Sequence, residues 1–186
     1  MPYVDLNTIH TPSTGAVIPA AWGDQLRENE EFLIDPPACS IYASDNTTVQ
    51  DNTDTTLSCD TDNFDNDAMW SGSGSAIDIN TPGLYMVICT IRFQAWPFGM
   101  RQIKFKVNDT TFYESSLILA SAATNSTVLT GIRFIDFDRG DQVETVCRHI
   151  EPISGGSLDV QVYEFAAQFQ TRSATQADYL VAYRAW

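Results

Sequence analysis

Gly83-Leu84-Tyr85-Met86-Val87-Ile88-Cys89-Thr90-Ile91-Arg92-Phe93 decides how this chain folds. Gly83 follows Pro82, so a turn feeds directly into a long strand. Tyr85, Val87, Cys89, Ile91 and Phe93 form one unbroken apolar face. Leu84, Met86 and Ile88 make the other face apolar as well, until Thr90 and Arg92 turn it polar. An antiparallel strand with one wet face alternates cleanly. This strand is therefore expected to be covered on both sides over its first half. Either it lies deep inside a sandwich, or its second face meets another subunit.

Outward from this stretch the pattern stays extended. Cys39-Ser40-Ile41-Tyr42, Thr56-Leu57-Ser58-Cys59 and Ala76-Ile77-Asp78-Ile79 are short strand candidates. Residues 101–107 alternate, read as basic side chains outward and apolar ones inward. Asn108-Asp109 turns that strand into Thr111-Phe112-Tyr113. Further strands are expected at 126–137, 142–149 and 157–171, with turns at Arg139-Gly140-Asp141 and Ser154-Gly155-Gly156. Many strands with helix only at the front argue an all-β sandwich.

The front differs. Pro19 opens a helix that Asp35-Pro36-Pro37 stops, because a residue before proline is pushed out of the helical region. Trp22, Leu26 and Leu33 share one face and acidic residues dominate the other, which makes the helix amphipathic. The chain thus divides into a front arm and helix over residues 1–37, a β domain over 38–172 and an aromatic tail over 173–186. The tail carries Tyr179, Tyr183 and Trp186 and is expected to pack on the domain or on a neighbour.

Of the 186 residues, 24 are Asp or Glu and only 10 are Lys or Arg, giving a net charge of -14. A surface this acidic repels phosphate backbones and anionic bilayers, so neither nucleic acid nor membrane is expected as a partner. No apolar run of bilayer length occurs. Met1-Pro2-Tyr3-Val4-Asp5 has no basic or apolar leader character, so no secretory signal is expected. The four cysteines Cys39, Cys59, Cys89 and Cys147 show no metal-ligand spacing, and they read as buried thiols.

Candidate sites are few. Asp60, Asp62, Asp65 and Asp67 crowd a segment read as an acidic loop; carboxylates at this spacing suit a hard cation. They are the first choice for a metal, although the glycine and terminal glutamate of a calcium loop are missing, and a solvated loop is the simpler reading. Trp96 and Phe98 lie in an apolar loop that could receive a ligand or cover the end of the sandwich. His10 and His149 stand apart from any nucleophile pattern. The chain shows no catalytic motif, so neither an enzyme nor a cofactor is expected.

Two resemblances sharpen this. Pro82-Gly83-Leu84-Tyr85-Met86-Val87 and Arg139-Gly140-Asp141-Gln142-Val143 resemble the G-x-Y strand and the G-D-x-V turn of the tumour necrosis factor and complement globular-head superfamily. Asn63-Phe64-Asp65-Asn66-Asp67-Ala68-Met69-Trp70 resembles a stretch in its phage-borne relatives. This implies a jelly roll that trimerises about a threefold axis, with Leu84, Met86, Ile88, Tyr113 and Tyr163 at the interface. The front segment is similar to the N-terminal segment of tailed-bacteriophage virion proteins through Trp22, Gly23, Asp24, Gln25, Arg27, Asn29, Phe32, Leu33 and Asp35-Pro36-Pro37. That implies a virion structural protein, assembled in the host cytoplasm and anchored through Trp22, Leu26, Phe32 and Leu33. Its partners would be further copies of itself and a major capsid or tail protein. Capsid decoration is the first expectation. A tail-borne receptor- or glycan-binding protein is the second, and a soluble cytokine-like ligand the third.

Overall fold

A computed structural model describes residues 20–119, 125–151 and 156–170, apart from the side chains of Trp22, Gln25 and Leu119. The expected front arm, the aromatic tail, the turn at 154–156 up to Gly155, and His10 lie outside them. Helix α1 spans Ala20–Ile34. Eleven strands follow: β1 Ala38–Tyr42, β2 Thr47–Gln50, β3 Thr55–Thr56, β4 Thr61–Asp65, β5 Ala76–Asp78, β6 Gly83–Phe93, β7 Met100–Val107, β8 Thr111–Leu119, β9 Thr127–Phe137, β10 Gln142–Ile150 and β11 Ser157–Phe169.

They form two antiparallel sheets. The first runs β4-β1-β11-β6-β9, with β2 also pairing β11. The second runs β3-β10-β7-β8, with β5 also pairing β10. This is the all-β sandwich expected from the strand pattern, in the jelly-roll form that the resemblance implies. β6 takes an inner position because it can bond on both edges: its whole length pairs with β9, and most of it with β11.

The strand's period settles which way it faces. Tyr85, Val87, Cys89, Ile91 and Phe93 are all fully buried, and they meet Ile103, Phe105, Val143 and Cys147 of the opposite sheet in one core. Leu84, Met86 and Ile88 stay only partly buried. Among the described residues no second layer of this chain covers that face. Full burial of one such side chain stabilises by roughly 1.5–3 kcal/mol, so the inward row of β6 is a large share of the core.

Gly83 explains the glycine of the G-x-Y pattern. Its φ is +149°, and a Cβ there would lie 2.4 Å from the Phe169 ring. That ring is the middle of an edge-to-face chain: Phe32–Phe169 at 5.1 Å, Tyr85–Phe169 at 5.3 Å and Tyr85–Phe137 at 5.8 Å between centroids. The Tyr85 hydroxyl donates to the Thr81 carbonyl at 2.7 Å, and burial pushes its pKa up. The motif therefore makes room for one ring and anchors another.

Several sequence expectations are refined. Asn108 and Asp109 both take positive φ, and the Thr110 amide donates to the Val107 carbonyl at 3.1 Å, which closes the turn between β7 and β8. The segment 61–65 is a strand rather than a loop. Arg101 shares the inward face with Ile103 and Phe105 and is fully buried, so the basic-outward reading of 101–107 holds for Lys104 and Lys106 only. All four cysteines are free and buried. Burial raises the thiols of Cys39, Cys59 and Cys147 to about 12, which leaves them unreactive.

Gly83→Ala is expected to destabilise the domain by about 2–3 kcal/mol, because the added methyl must displace the Phe169 ring and hold a strained backbone. Chemical denaturation measures this; an unchanged midpoint would contradict the packing described.

Candidate functional site

The outer faces of the two sheets differ in chemistry. The β7–β10 surface is laced with ion pairs. Lys104 bonds Asp54 at 2.9 Å, and Lys106 bonds both Glu144 at 2.6 Å and Asp109 at 2.8 Å. The β6–β9 surface is apolar. The register sets Met86 beside Phe134 and Ile88 beside Ile132. Phe134 is 60% exposed, Val128 52% and Ile132 50%.

Of the five residues expected at an interface, Leu84, Met86 and Ile88 lie in this row. Tyr163 joins it from the β11 bulge, where the Arg92 guanidinium sits 5.6 Å above its ring. Tyr113 lies in the other sheet, on β8. The two sheets meet along that side: Arg133 Nε donates to the Glu114 carbonyl at 2.8 Å, and Ser115 Oγ donates to the Ile132 carbonyl at 3.3 Å. On β8, exposed Phe112 lies on the ion-paired side, with the Lys104 ammonium 5.7 Å from its ring, and Leu117 and Ile118 are exposed further along the strand. Val128, Ile132 and Phe134 were not singled out from the sequence. Their signal was the one used for β6, a strand apolar on both faces.

The front helix meets the domain at its C-terminal end. Phe32, not Leu33, is the buried residue; Leu33 is 56% exposed and Leu26 also faces water. Phe32 is therefore occupied by its own domain and is not free to anchor anything else. Asn66 clamps the following joint. Its amide nitrogen donates to the Asp35 carboxylate at 2.6 Å and to the Pro36 carbonyl at 3.0 Å, while its oxygen accepts from the Ala38 amide at 2.7 Å. The side chain of Trp22 lies outside the described residues.

The four aspartates of the acidic segment do not converge. Asp60 accepts from the Ser44 amide at 2.9 Å and the Ser44 hydroxyl at 2.5 Å, which lowers its pKa. Asp65 accepts from the amides of Met69 and Trp70, both at 2.9 Å, and so shapes a turn. Among the described residues no three His, Cys, Asp or Glu side chains gather as metal ligands. Asp141 of Arg139-Gly140-Asp141 accepts from the Asp138 amide at 2.8 Å and from Asn108 at 2.7 Å, consistent with a locked turn. His149 is fully buried, with Nε2 2.9 Å from the Val49 carbonyl.

At the other end of β6, Trp96 and Phe98 are exposed, 40% and 53% respectively. Beneath them Arg101 donates to the Met100 carbonyl at 3.1 Å and reaches the Trp96 carbonyl at 3.5 Å. Burial lowers the pKa of this guanidinium, and Glu151 partly offsets the effect.

These features define a two-sheet jelly roll with one apolar outer face and no gathered catalytic or metal cluster among the described residues. In overall shape it is similar to the globular domain of a zebrafish complement 1qA protein, with a TM-score of 0.51 and 13% identity over 74% of this chain and 99% of that one. Murine APRIL at pH 5.0 also aligns, with a TM-score of 0.47 and 11% identity over 68% of this chain and 97% of that one. At such identities the likeness is one of fold. No known family model and no curated protein matches the chain in sequence.

Asp60 and Asp109 both have lowered pKa values, through Ser44 and Lys106 respectively. A depressed folded pKa means that stability is present above the unfolded value and is lost as pH falls through the folded one. Thermal stability is thus expected to decline once pH drops below about 4. Asp60→Asn should make that decline shallower in a melting-temperature series, and an unaltered acid limb would contradict the assignment.

Proposed function

We propose that this chain is a non-enzymatic structural module of a tailed-bacteriophage virion, working as a homotrimer that decorates and stabilises the capsid. The observation that carries the reading is the apolar outer face of β6 and β9. An exposed cluster of this kind on a soluble domain marks an interaction surface. Leu84, Met86, Ile88, Ile132 and Phe134 form a continuous patch, and covering half of one large side chain contributes roughly 1 kcal/mol. Threefold packing repeats each such contact three times. The ion-paired opposite face and the net charge of -14 then remain in water. The threefold expectation comes from the superfamily resemblance of the β domain. The virion assignment rests on the resemblance of the front segment. Exposed Leu26 and Leu33 are the part of the helix left to grip a larger assembly, because Phe32 is spent on the domain.

Sedimentation should show a species three times the 20.6 kDa chain. Met86→Asp, or Phe134→Asp beside it, places an unpaired charge in the seam and should give folded monomers. An intact trimer in both variants would remove the interface. Removing residues 1–28, which keeps Asn29 and Phe32, together with Leu33→Ser should leave a folded trimer that no longer joins virions. A shortened protein found on purified particles in full copy number would refute the anchoring role.

A further inference from the structure

A polar pocket of about 260 Å³ sits where β6 ends, lined by Asn46, Arg92, Gln94, Ala95, Ser126 and Asp159. Its internal bonds fix what it presents. Gln94 Oε1 accepts from the Asp159 backbone N–H at 3.2 Å, so Gln94 Nε2 keeps both donors for another partner. Asp159 Oδ1 accepts from Thr48 Oγ1 at 3.0 Å, which leaves Oδ2 as an acceptor. Arg92 gives one N–H to Gln161 at 3.1 Å and lies over Tyr163, with further N–H groups unspent.

The charges of Arg92 and Asp159 cancel, and the other polar groups are amides or a hydroxyl. An anion gains little here and meets the field of a -14 protein. A neutral molecule whose groups both donate and accept fits best. Two adjacent hydroxyls do this: one donates to Asp159 while accepting from Gln94, and the next accepts from Arg92.

The neighbouring loop supplies the apolar counterpart. Ala95 lines the pocket, and exposed Trp96 and Phe98 follow it. Gln94 N donates to the Asp159 carbonyl at 2.9 Å, which ties the loop's first residue to the pocket wall. Gly99 has φ +85°, and a Cβ there would stand 2.0 Å from the Ile150 carbonyl oxygen, so the loop passes where only glycine fits. Arg101 reaches back to the loop, with one nitrogen 3.5 Å from the Trp96 carbonyl and another donating to Met100 at the start of β7, while its Nε has no partner among the described residues. The loop is therefore built to one shape before any ligand arrives, which lowers the cost of binding.

We infer that this pocket and the Trp96 loop form a binding site for a neutral sugar, with the diol on Asp159, Gln94 and Arg92 and the C–H face of the ring on Trp96. This goes beyond assembly, since it gives each protomer a recognition site of its own at the rim of the apolar face.

Saturation-transfer NMR on the full chain tests it with glucose, galactose, mannose, N-acetylglucosamine and N-acetylneuraminic acid, each at about 50 mM. At least one neutral sugar should receive saturation. Asp159→Ala and Trp96→Ala should each weaken its binding about ten-fold, while circular dichroism and sedimentation stay unchanged. No transfer to any neutral sugar overturns the site, as does binding that survives in both variants. Tighter binding of N-acetylneuraminic acid overturns the ligand class. Because sedimentation is read in the same samples, loss of the sugar site and loss of the trimer are told apart.

Discussion

The inward row of β6 is the constraint on which the rest is built. Five alternating side chains with no exposure to water require a sheet neighbour on each edge and an apolar layer opposite. β9 and β11 supply the edges, and Ile103, Phe105, Val143 and Cys147 belong to the layer. The same strand carries the Gly83 opening for Phe169, through which Phe32 of the helix is held. Core, sheet order and helix attachment therefore converge on eleven residues. The four thiols contribute as small apolar groups and need no oxidation to do so.

The outer surfaces show how one sandwich can be polar and adhesive together. On β7 and β10, side chains that leave the core plane include Lys104, which pairs with Asp54, and Lys106, which pairs with Glu144. On β6 and β9 the corresponding positions are Met86, Ile88, Ile132 and Phe134. Both sheets obey the same two-residue period. They differ only in which residues the sequence places on the outward beat, and that choice separates a solvated wall from one suited to a second copy.

The long strands were legible because their inward residues repeat every second position. The short ones were not. β2, Thr47-Thr48-Val49-Gln50, buries only Val49, and one apolar residue defines no period. β4, Thr61–Asp65, has charged or polar residues at four of five positions, and pairing with β1 imposes its extended form. The helix was read correctly as an element ending at Ile34, but its docking side was not. Hydrophobicity along the helix favours Leu26 and Leu33; the position of Phe169 selects Phe32. Arg101 was misread because alternation fixes a direction and says nothing about whether a cation can be tolerated there. Of the carbonyls it reaches, Met100 opens β7 and Trp96 belongs to a loop without periodicity. For the same reason the pocket beside that loop left no mark in the sequence: its walls come from four separate stretches.

Ala38 pairs with Gln168, so the chain comes into the sandwich and leaves it on adjacent strands at the same end. The Trp96 loop lies at the opposite end, beyond Phe93. Tension applied between these neighbouring ends would reach β1 and β11 first and bypass most of the body. A circularly permuted chain, with a short linker across this gap and new ends opened elsewhere, would keep every ladder intact. The geometry sets Ala38 and Gln168 at one pole of the β domain and the Trp96 loop at the other.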